Sequence, residues 1–138
     1  MHLLFTLASS ATLLLAGCRT AAPTHKTQVA PPPQAKALVR AWRHSQEEDQ
    51  GAVQVYRPAT YSFPPARGRD GLTFEPNGRL SKLAIAPTDG MQSLPGRWSW
   101  ESAHVLHLQV NGQPAQDYRL EVVELTPQIL KVSVVEPR

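Results

Sequence analysis

Most of the chain after residue 50 consists of short segments in which apolar and polar residues alternate. In residues 96–101, for example, Trp98 and Trp100 fall on one face, and the residues between them are polar or charged. Alternation with a period of two is typical of β-strands that bury one face. Asn-Gly pairs at 77–78 and 111–112 separate neighbouring segments, and this dipeptide is a strong signal for a hairpin turn. The pattern predicts an all-β chain built largely from hairpins.

About eight such segments occur at regular spacing, with no long helical pattern between them. They cover residues 42–48, 53–57, 72–75, 79–86, 96–101, 105–110, 118–122 and 130–134. A short helical turn is expected just before the first strand, where Leu38 and Ala41 follow helical spacing. Because each strand has only one apolar face, the pattern suits an antiparallel sheet better than a parallel sheet covered on both faces. We therefore expect a small antiparallel meander of about eight strands that closes into a barrel.

The N-terminus has the pattern of an export signal. Residues 1–17 contain no Lys, Arg, Asp or Glu, and residues 3–15 form a mostly apolar block. This block has the length of a signal-peptide core, but it is shorter than the ~20 residues that a membrane-spanning helix needs. The sequence Leu15-Ala16-Gly17-Cys18 at its end resembles the lipobox of bacterial lipoprotein precursors. The resemblance implies that residues 1–17 are a cleaved signal peptide and that Cys18 is lipidated.

Cys18 is the only cysteine in the sequence, so neither an intrachain disulfide nor a thiolate metal cluster can form. If Cys18 is acylated, membrane lipid is the first expected partner, and more than one acyl chain is needed for stable anchoring. Arg19 follows the cysteine, where an aspartate tends to retain enteric-type lipoproteins at the inner membrane. The resemblance therefore implies an outer-membrane lipoprotein that faces the periplasm. A buried N-terminal helix with an incidental cysteine is the alternative interpretation.

Composition divides the rest of the chain into a tether and one domain. Residues 18–36 are poor in large apolar side chains, and Pro31-Pro32-Pro33 favours an extended polyproline helix. At roughly 3.1 Å per residue, the ~18 residues after Cys18 reach at most roughly 55 Å. Residues 37–138 are sufficient for one globular domain. The net charge of +3 comes from scattered Lys and Arg without a basic stripe, so nucleic acid is not an expected partner.

Several features between residues 37 and 136 resemble small bacterial lipocalin-like domains. They are the early Trp42, the hairpin sequence at 72–78, the Pro-Gly-Arg-Trp sequence at 95–98 and the alternating strands that follow. The resemblance implies a lipocalin-like barrel that binds a small apolar or amphipathic ligand without catalysis. An eight-stranded barrel is just wide enough for side chains to fill it or for one small ligand to enter. The alternative is a structural or protein-interaction lipoprotein with a filled barrel, docked to an envelope protein.

Residues 47–71 differ from the strands because they combine prolines and glycines with three aromatic residues. We predict an ordered loop here that packs at the mouth of the barrel. Within it, Arg67 and Arg69 flank a glycine and are suited to bind an anion or a partner. Alternatively, they pair with neighbouring carboxylates and hold the loop against the barrel. The acidic candidates are Glu47, Glu48 and Asp70.

Aromatic and guanidinium groups of this loop and of the tryptophan-rich strand are the candidates for ligand or partner binding. They are Tyr56, Tyr61, Phe63, Arg67, Arg69, Trp98 and Trp100. For the two tryptophans, a place in the core is the favoured alternative.

No catalytic residue, cofactor or metal is expected, and we predict that the protein is not an enzyme. The sequence has no G-x-S-x-G elbow, dinucleotide-binding fingerprint or P-loop. His104 and His107 are three residues apart on a predicted strand, so they point to opposite faces and cannot share a metal ion. His44, close to Glu47 and Glu48, is the one candidate for an acid–base site. An enzyme that uses it inside the barrel is the least favoured alternative.

Overall fold

The computed structural model describes residues 29–135 and confirms the predicted fold class. Within this part of the chain, one short α-helix, α1 (Ala35–Leu38), precedes eight strands that close into an antiparallel barrel. The strands are β1 (Ala41–His44), β2 (Val53–Pro58), β3 (Gly71–Phe74), β4 (Arg79–Ile85), β5 (Met91–Trp100), β6 (Val105–Val110), β7 (Gln116–Thr126) and β8 (Ile129–Val135). The predicted signal peptide and Cys18 lie outside the described residues. Between residues 29 and 135, no helix has the length and apolar character needed to span a membrane.

The strand order departs from a simple meander at β1. Around the barrel the order is β1-β2-β8-β7-β6-β5-β4-β3, and β3 pairs with β1 to close the ring. Both neighbours of β1 are antiparallel to it, so β2 and β3 run parallel to each other and cannot be joined by a hairpin. The predicted meander therefore holds for β1 with β2 and for β3 to β8, and it is wrong for β2 and β3, which are not neighbours.

Residues 59–70, named here the crossover segment, connect β2 to β3 along the outside of β1. The N–H of Ala59 donates to the carbonyl of Ala41 at one end of β1 over 2.9 Å. At the other end, the N–H of His44 donates to the carbonyl of Asp70, also over 2.9 Å. The segment that we predicted as a loop at the mouth of the barrel therefore runs along β1 from one end of this strand to the other. Its course follows from the parallel arrangement of β2 and β3, because such a connection must run the length of the strand between them.

The two ends of the barrel differ. The helix end is where β1 begins, and it carries α1 together with the turns at 75–78, 101–104 and 127–128. The cavity end is opposite and carries the connections at 45–52, 86–90 and 111–115. The predicted helical turn is α1, and it closes the helix end. Leu38 is fully buried there, and its carbonyl accepts a hydrogen bond of 2.9 Å from Nε1 of Trp42.

Side chains fill the barrel next to the helix end. The inward positions of the strands alternate with outward ones, and the largest inward residues are almost completely removed from solvent. Fully buried examples are Trp42, Phe74, Leu106, Leu108, Leu130 and Val132. Burial of this apolar surface is the main stabilising contribution to the fold. The space that remains inside the barrel is therefore at the cavity end.

Two predicted strand boundaries differ from the structure for identifiable reasons. The first strand ends at His44 because residues Gln46–Glu48 form a 3₁₀ helix. The carboxylate of Asp49 then accepts the N–H of Val55 over 2.9 Å, which completes a compact reversal into β2. The fifth strand begins at Met91 and so extends through Pro95, which lacks an N–H and obscures the strand pattern in the sequence.

Candidate binding site at the cavity end

His44, the last residue of β1, points into the barrel at the cavity end and is only 7% exposed. Its ring contacts one carboxylate at each nitrogen. Nδ1 lies 3.1 Å from Oδ1 of Asp70, and Nε2 lies 2.9 Å from Oδ2 of Asp49. A carboxylate only accepts hydrogen bonds, so each ring nitrogen of His44 faces an acceptor. With both nitrogens occupied, this ring has no free position from which to take a substrate proton.

Tyr56 lies beside His44 in the sheet and stacks on it. The two residues are register partners in the β1–β2 pair, and their ring centroids are 5.0 Å apart with an angle of 19° between the planes. Burial raises the pKa of the Tyr56 hydroxyl well above its ordinary value of 10.0, and the nearby charge of Asp70 adds to this rise. Tyr56 therefore stays a neutral hydroxyl at physiological pH.

A cavity of about 170 Å³ lies next to this cluster inside the barrel. Side chains from five strands and from the end of the crossover segment surround it. Its lining residues are Gln54, Tyr56, Asp70, Gly71, Leu72, Lys82, Tyr118, Leu120 and Val134. More than half of these residues are polar, and they include two charges of opposite sign. The cavity is therefore suited to a small molecule with both polar and apolar parts.

Lys82 occupies an inward position of β4, where its partners in the neighbouring strands are the apolar residues Leu72 and Leu94. Its Nζ donates to Oε1 of Gln116 over 2.7 Å and lies 5.1 Å from the ring centroid of Tyr118. The side chain is half-buried, and this burial lowers the pKa of its ammonium group, while the charge of Asp70 partly offsets the shift. Within residues 29–135, no carboxylate forms an ion pair with Lys82. Its charge is thus held by an amide and an aromatic face.

Tyr118 completes the polar side of the cavity. It is mostly buried on β7, and this burial raises the pKa of its hydroxyl from 10.0 to about 12, with a smaller contribution from Asp70. The hydroxyl is therefore protonated at physiological pH and can donate a hydrogen bond into the cavity.

The crossover segment is fixed by two arginine–glutamate pairs, named here the clamps. In the first, Arg57 donates to both carboxylate oxygens of Glu48 over 2.8 and 2.6 Å. In the second, Arg69 donates to both oxygens of Glu47 over 2.9 and 2.5 Å. Each guanidinium also covers an aromatic ring of the crossover segment, Tyr61 at 5.1 Å for the first clamp and Phe63 at 4.7 Å for the second.

The clamps answer two of the questions left by the sequence. Of the alternatives for Arg69, the structure shows the pairing with a neighbouring carboxylate. Arg67 instead is exposed and lies beside Ile85 and Met91 at a surface pocket. The clamps also engage Glu47 and Glu48, so the least favoured alternative, an acid–base site of His44 with these glutamates, is not what the structure shows. The 3₁₀ helix turns both glutamates outward, and His44 pairs with two aspartates instead.

We expect an acid titration of the two glutamate carboxyl groups to reveal the clamps. Hydrogen bonding to Arg69 and to Arg57 lowers the pKa values of Glu47 and Glu48, respectively, from 4.5 to about 2. Their contribution to stability is therefore complete above pH 4.5 and is lost as the pH falls through about 2. Carboxyl ¹³C shifts measured against pH would give both values. The substitution Arg69→Gln should return only Glu47 to its ordinary range, and Arg57→Gln should do so only for Glu48. Ordinary titration of both in the unmodified chain would contradict the clamp geometry.

Trp98 and Trp100 do not line this cavity and lie towards the helix end of β5. They line a groove of about 450 Å³ together with residues 29–39 and the β3–β4 turn. The indole Nε1 of Trp98 donates to the carbonyl of Glu75 over 3.0 Å, and its ring meets Phe74 edge-to-face at 5.5 Å. Trp100 is buried, and its Nε1 has no hydrogen-bond partner among the described residues. Both tryptophans pack against the core, which is the alternative favoured from the sequence.

The seven candidate residues therefore do not form one site. Tyr56 lines the cavity, Tyr61, Phe63 and Arg69 belong to the crossover segment and its clamps, and the tryptophans lie at the opposite end. The sequence analysis did not identify four polar residues of the cavity. They are Gln54, Asp70 as a lining residue, Lys82 and Tyr118. The sequence contains one indication for Lys82, because it lies two residues after Leu80 and so on the same face of β4. Leu83 and Ile85 make the opposite face equally apolar, however, so the alternation does not show which face points inward.

His104 and His107, the other two histidines of the described part of the chain, are not placed together as a metal site. His107 lies on the outer face of β6, and its Nε2 lies 2.6 Å from Oδ1 of Asp117, while His104 is in the exposed turn before that strand. Among residues 29–135, no group of three histidine, cysteine or acidic side chains is arranged to hold a metal ion.

Comparison of the chain with protein-family models, curated proteins and solved structures found no match in any of the three. The geometry of the cavity and the sequence patterns are therefore the basis for a functional proposal.

Proposed function

We propose that the protein is a membrane-anchored envelope lipoprotein whose barrel binds one small molecule at the cavity end, without catalysis. The observation that supports this best is the cavity of about 170 Å³ in a barrel that is otherwise filled. A cavity of about 150 Å³ in a protein core is enough for a molecule of the size of benzene. The ligand is therefore about as large as a single substituted ring.

The lining favours an amphipathic ligand over a purely apolar one. Leu72, Leu120 and Val134 offer apolar contacts, while Asp70 and Lys82 offer charges. A purely apolar molecule would displace water from these charges without replacing its hydrogen bonds, which costs affinity. The occupied nitrogens of His44 support a binding role over acid–base catalysis, because neither is free to act as a base.

The direction in which the chain enters the barrel supports an anchor that leaves the cavity accessible. Val29, the first described residue, lines the groove at the helix end, so the described part of the chain begins on that side. A lipid on Cys18 would then hold the helix end towards the membrane, and the cavity would open away from it. The Arg19 position, by its resemblance to sorted lipoproteins, favours the outer membrane facing the periplasm.

Replacing Cys18 with alanine should release the protein from membranes, because the thiol is the acceptor of the diacylglyceryl group. The measurement is the fraction of the full chain that sediments with membranes after carbonate extraction. Thr20→Ala is a matched control that leaves the lipobox intact and should remain fully membrane-bound. Membrane retention of the Cys18→Ala variant equal to that of the control would overturn the proposed anchor.

Binding at the cavity end can be tested with a neighbouring pair of valines on β8. Val134 lines the cavity, whereas Val135 points to the other face of the strand, and both are partly exposed. Native mass spectrometry of the full chain isolated from its own membranes should show a bound small molecule. We expect Val134→Trp to remove this added mass by filling the cavity, and Val135→Trp to leave it in place.

A filled barrel that acts only in protein interaction is the second candidate, favoured by the complete burial of the inward residues near the helix end. It predicts no added mass for the unmodified chain, for Val134→Trp or for Val135→Trp. Instead, it predicts a cross-link in cells to an envelope partner that is lost on changing Tyr61 or Arg67, two exposed residues of the crossover segment.

A further inference from the structure

We propose that the ligand carries a carboxylate or a similar small anionic group, and that Lys82 is the residue that binds it. This inference rests on the proposed binding function, and it names the chemical class of the ligand. The observation behind it is a half-buried ammonium group inside the barrel, at a cavity, without an acidic partner in the described part of the chain.

Within residues 29–135, no carboxylate lies in ion-pair contact with Lys82, and the charge of Asp70 only partly compensates its burial. Its contacts are the neutral amide of Gln116 and the ring face of Tyr118. An ammonium carries three N–H donors, and the amide accepts from only one of them. A cation taken partly out of water without an opposite charge is unfavourable, and burial accordingly lowers the pKa of this group. An anion in the cavity would restore the missing interaction with a charge-assisted hydrogen bond.

Neutral hydrogen-bond donors beside Lys82 are also suited to bind the anionic group of the ligand. The hydroxyl of Tyr118 is protonated at physiological pH because its pKa is raised to about 12. Gln54 lines the cavity as well, and its carbonyl oxygen accepts a long contact of 3.4 Å from the hydroxyl of Tyr56, which leaves its NH₂ group to donate. A carboxylate has two oxygens and about four acceptor sites, so it can use an ammonium together with such donors.

Asp70 determines how an anion has to be oriented. Its carboxylate also lines the cavity, where it repels a negative charge, although His44 provides its hydrogen-bond partner. The anionic group must therefore lie on the side of Lys82 and Tyr118, with the apolar part of the ligand against Leu72 and Leu120. Removing the charge of Lys82 should therefore weaken the binding of an anion, and removing the charge of Asp70 should strengthen it.

Three probes of matched size test this inference: benzoate, benzamide and benzylamine, which are anionic, neutral and cationic at neutral pH. Titration calorimetry on the full chain should give a dissociation constant for benzoate at least about tenfold lower than for the other two, since a charge-assisted bond is the difference. Lys82→Met keeps an unbranched side chain of similar length and removes the charge. It should weaken the affinity for benzoate about tenfold and leave the affinity for benzamide unchanged. Asp70→Asn keeps the shape and removes the repulsion, and it should strengthen benzoate binding.

The outcomes separate this inference from the proposed function. If benzamide or benzylamine binds as tightly as benzoate, or if Lys82→Met retains the preference for benzoate, the anionic ligand is ruled out and binding at the cavity end stands. If no probe binds at millimolar concentration, the inference is overturned. If, in addition, no added mass depends on Val134, the proposed function falls with it. Thermal unfolding of both variants, compared with the unmodified chain, shows whether each has kept its fold.

Discussion

Replacing Trp42 with alanine is expected to lower the free energy of unfolding by about 3–5 kcal/mol, the range found for a fully buried large aromatic residue. Trp42 is 0% exposed and lies where β1 joins both β2 and β3. Its indole N–H also donates a hydrogen bond to the carbonyl of Leu38, so the substitution removes a contact that holds α1 at the helix end. Since domains of this size have about 5–15 kcal/mol in total, the variant should be close to the limit of folding.

Urea unfolding followed by circular dichroism measures this loss, provided that the variant folds at all. Trp42→Phe is the milder companion, because it keeps a ring in the core and removes only the hydrogen bond and part of the volume. Ile85→Ala serves as the control: it also shortens a large apolar side chain, but this residue is 59% exposed and should change stability by less than about 0.5 kcal/mol. A loss below about 1 kcal/mol for Trp42→Ala would contradict the central position assigned to this residue.

The second large effect is expected at Gly96 in β5, where alanine should cost about 1–3 kcal/mol. A β-carbon at this position would overlap the carbonyl oxygen of Gln109 on β6, and it would also approach the backbone of Val110 at 3.1 Å. These neighbours are main-chain atoms of a paired strand, so they cannot move away as a flexible side chain would. The barrel wall therefore has to deform locally to accept even a methyl group.

Gly90 provides the matched control for this substitution. It lies in the turn before the same strand, and a β-carbon there would meet nothing within 4 Å. Gly90→Ala should therefore leave the melting temperature within the range of ordinary surface changes, whereas Gly96→Ala should lower it by several degrees. Equal melting temperatures for the two variants would show that the β5–β6 pair has more room than its geometry indicates.

The sequence was sufficient to predict the strands because their signal is local. Alternation in β6, β7 and β8 and the Asn-Gly turn at 77–78 each depend on neighbouring residues only, and the hairpins they predict are present. The position of β1 was not predictable in the same way. It depends on pairings such as Trp42 with Leu72 and Val53 with Ser133, which join distant parts of the chain. No periodicity in residues 59–70 indicates which strand this segment crosses.

The site was harder to predict than the fold because its residues come from separate elements. Asp49 and Asp70 reach His44 only after the 3₁₀ helix and the crossover segment have turned towards it. In the sequence, Glu47 and Glu48 are nearer to His44 and were the natural candidates, yet both face outward in the clamps. Two strands, β5 and β6, separate Lys82 from Tyr118 in the sequence, and the closed barrel alone brings the two together.

The insertion of β1 between β2 and β3 has a consequence for the order of folding. Strands β3 to β8 can form from successive hairpins, whereas ring closure needs β2 to meet β8 across about eighty residues of chain, as for Val53 and Ser133. Closure is therefore expected to be late and slow, since non-local pairings limit folding rates. Until then, β3 and β8 are free edges that invite pairing with other chains. A chain in which only β3 to β8 have formed is therefore expected to be aggregation-prone, and this state should end when β1 and β2 close the ring.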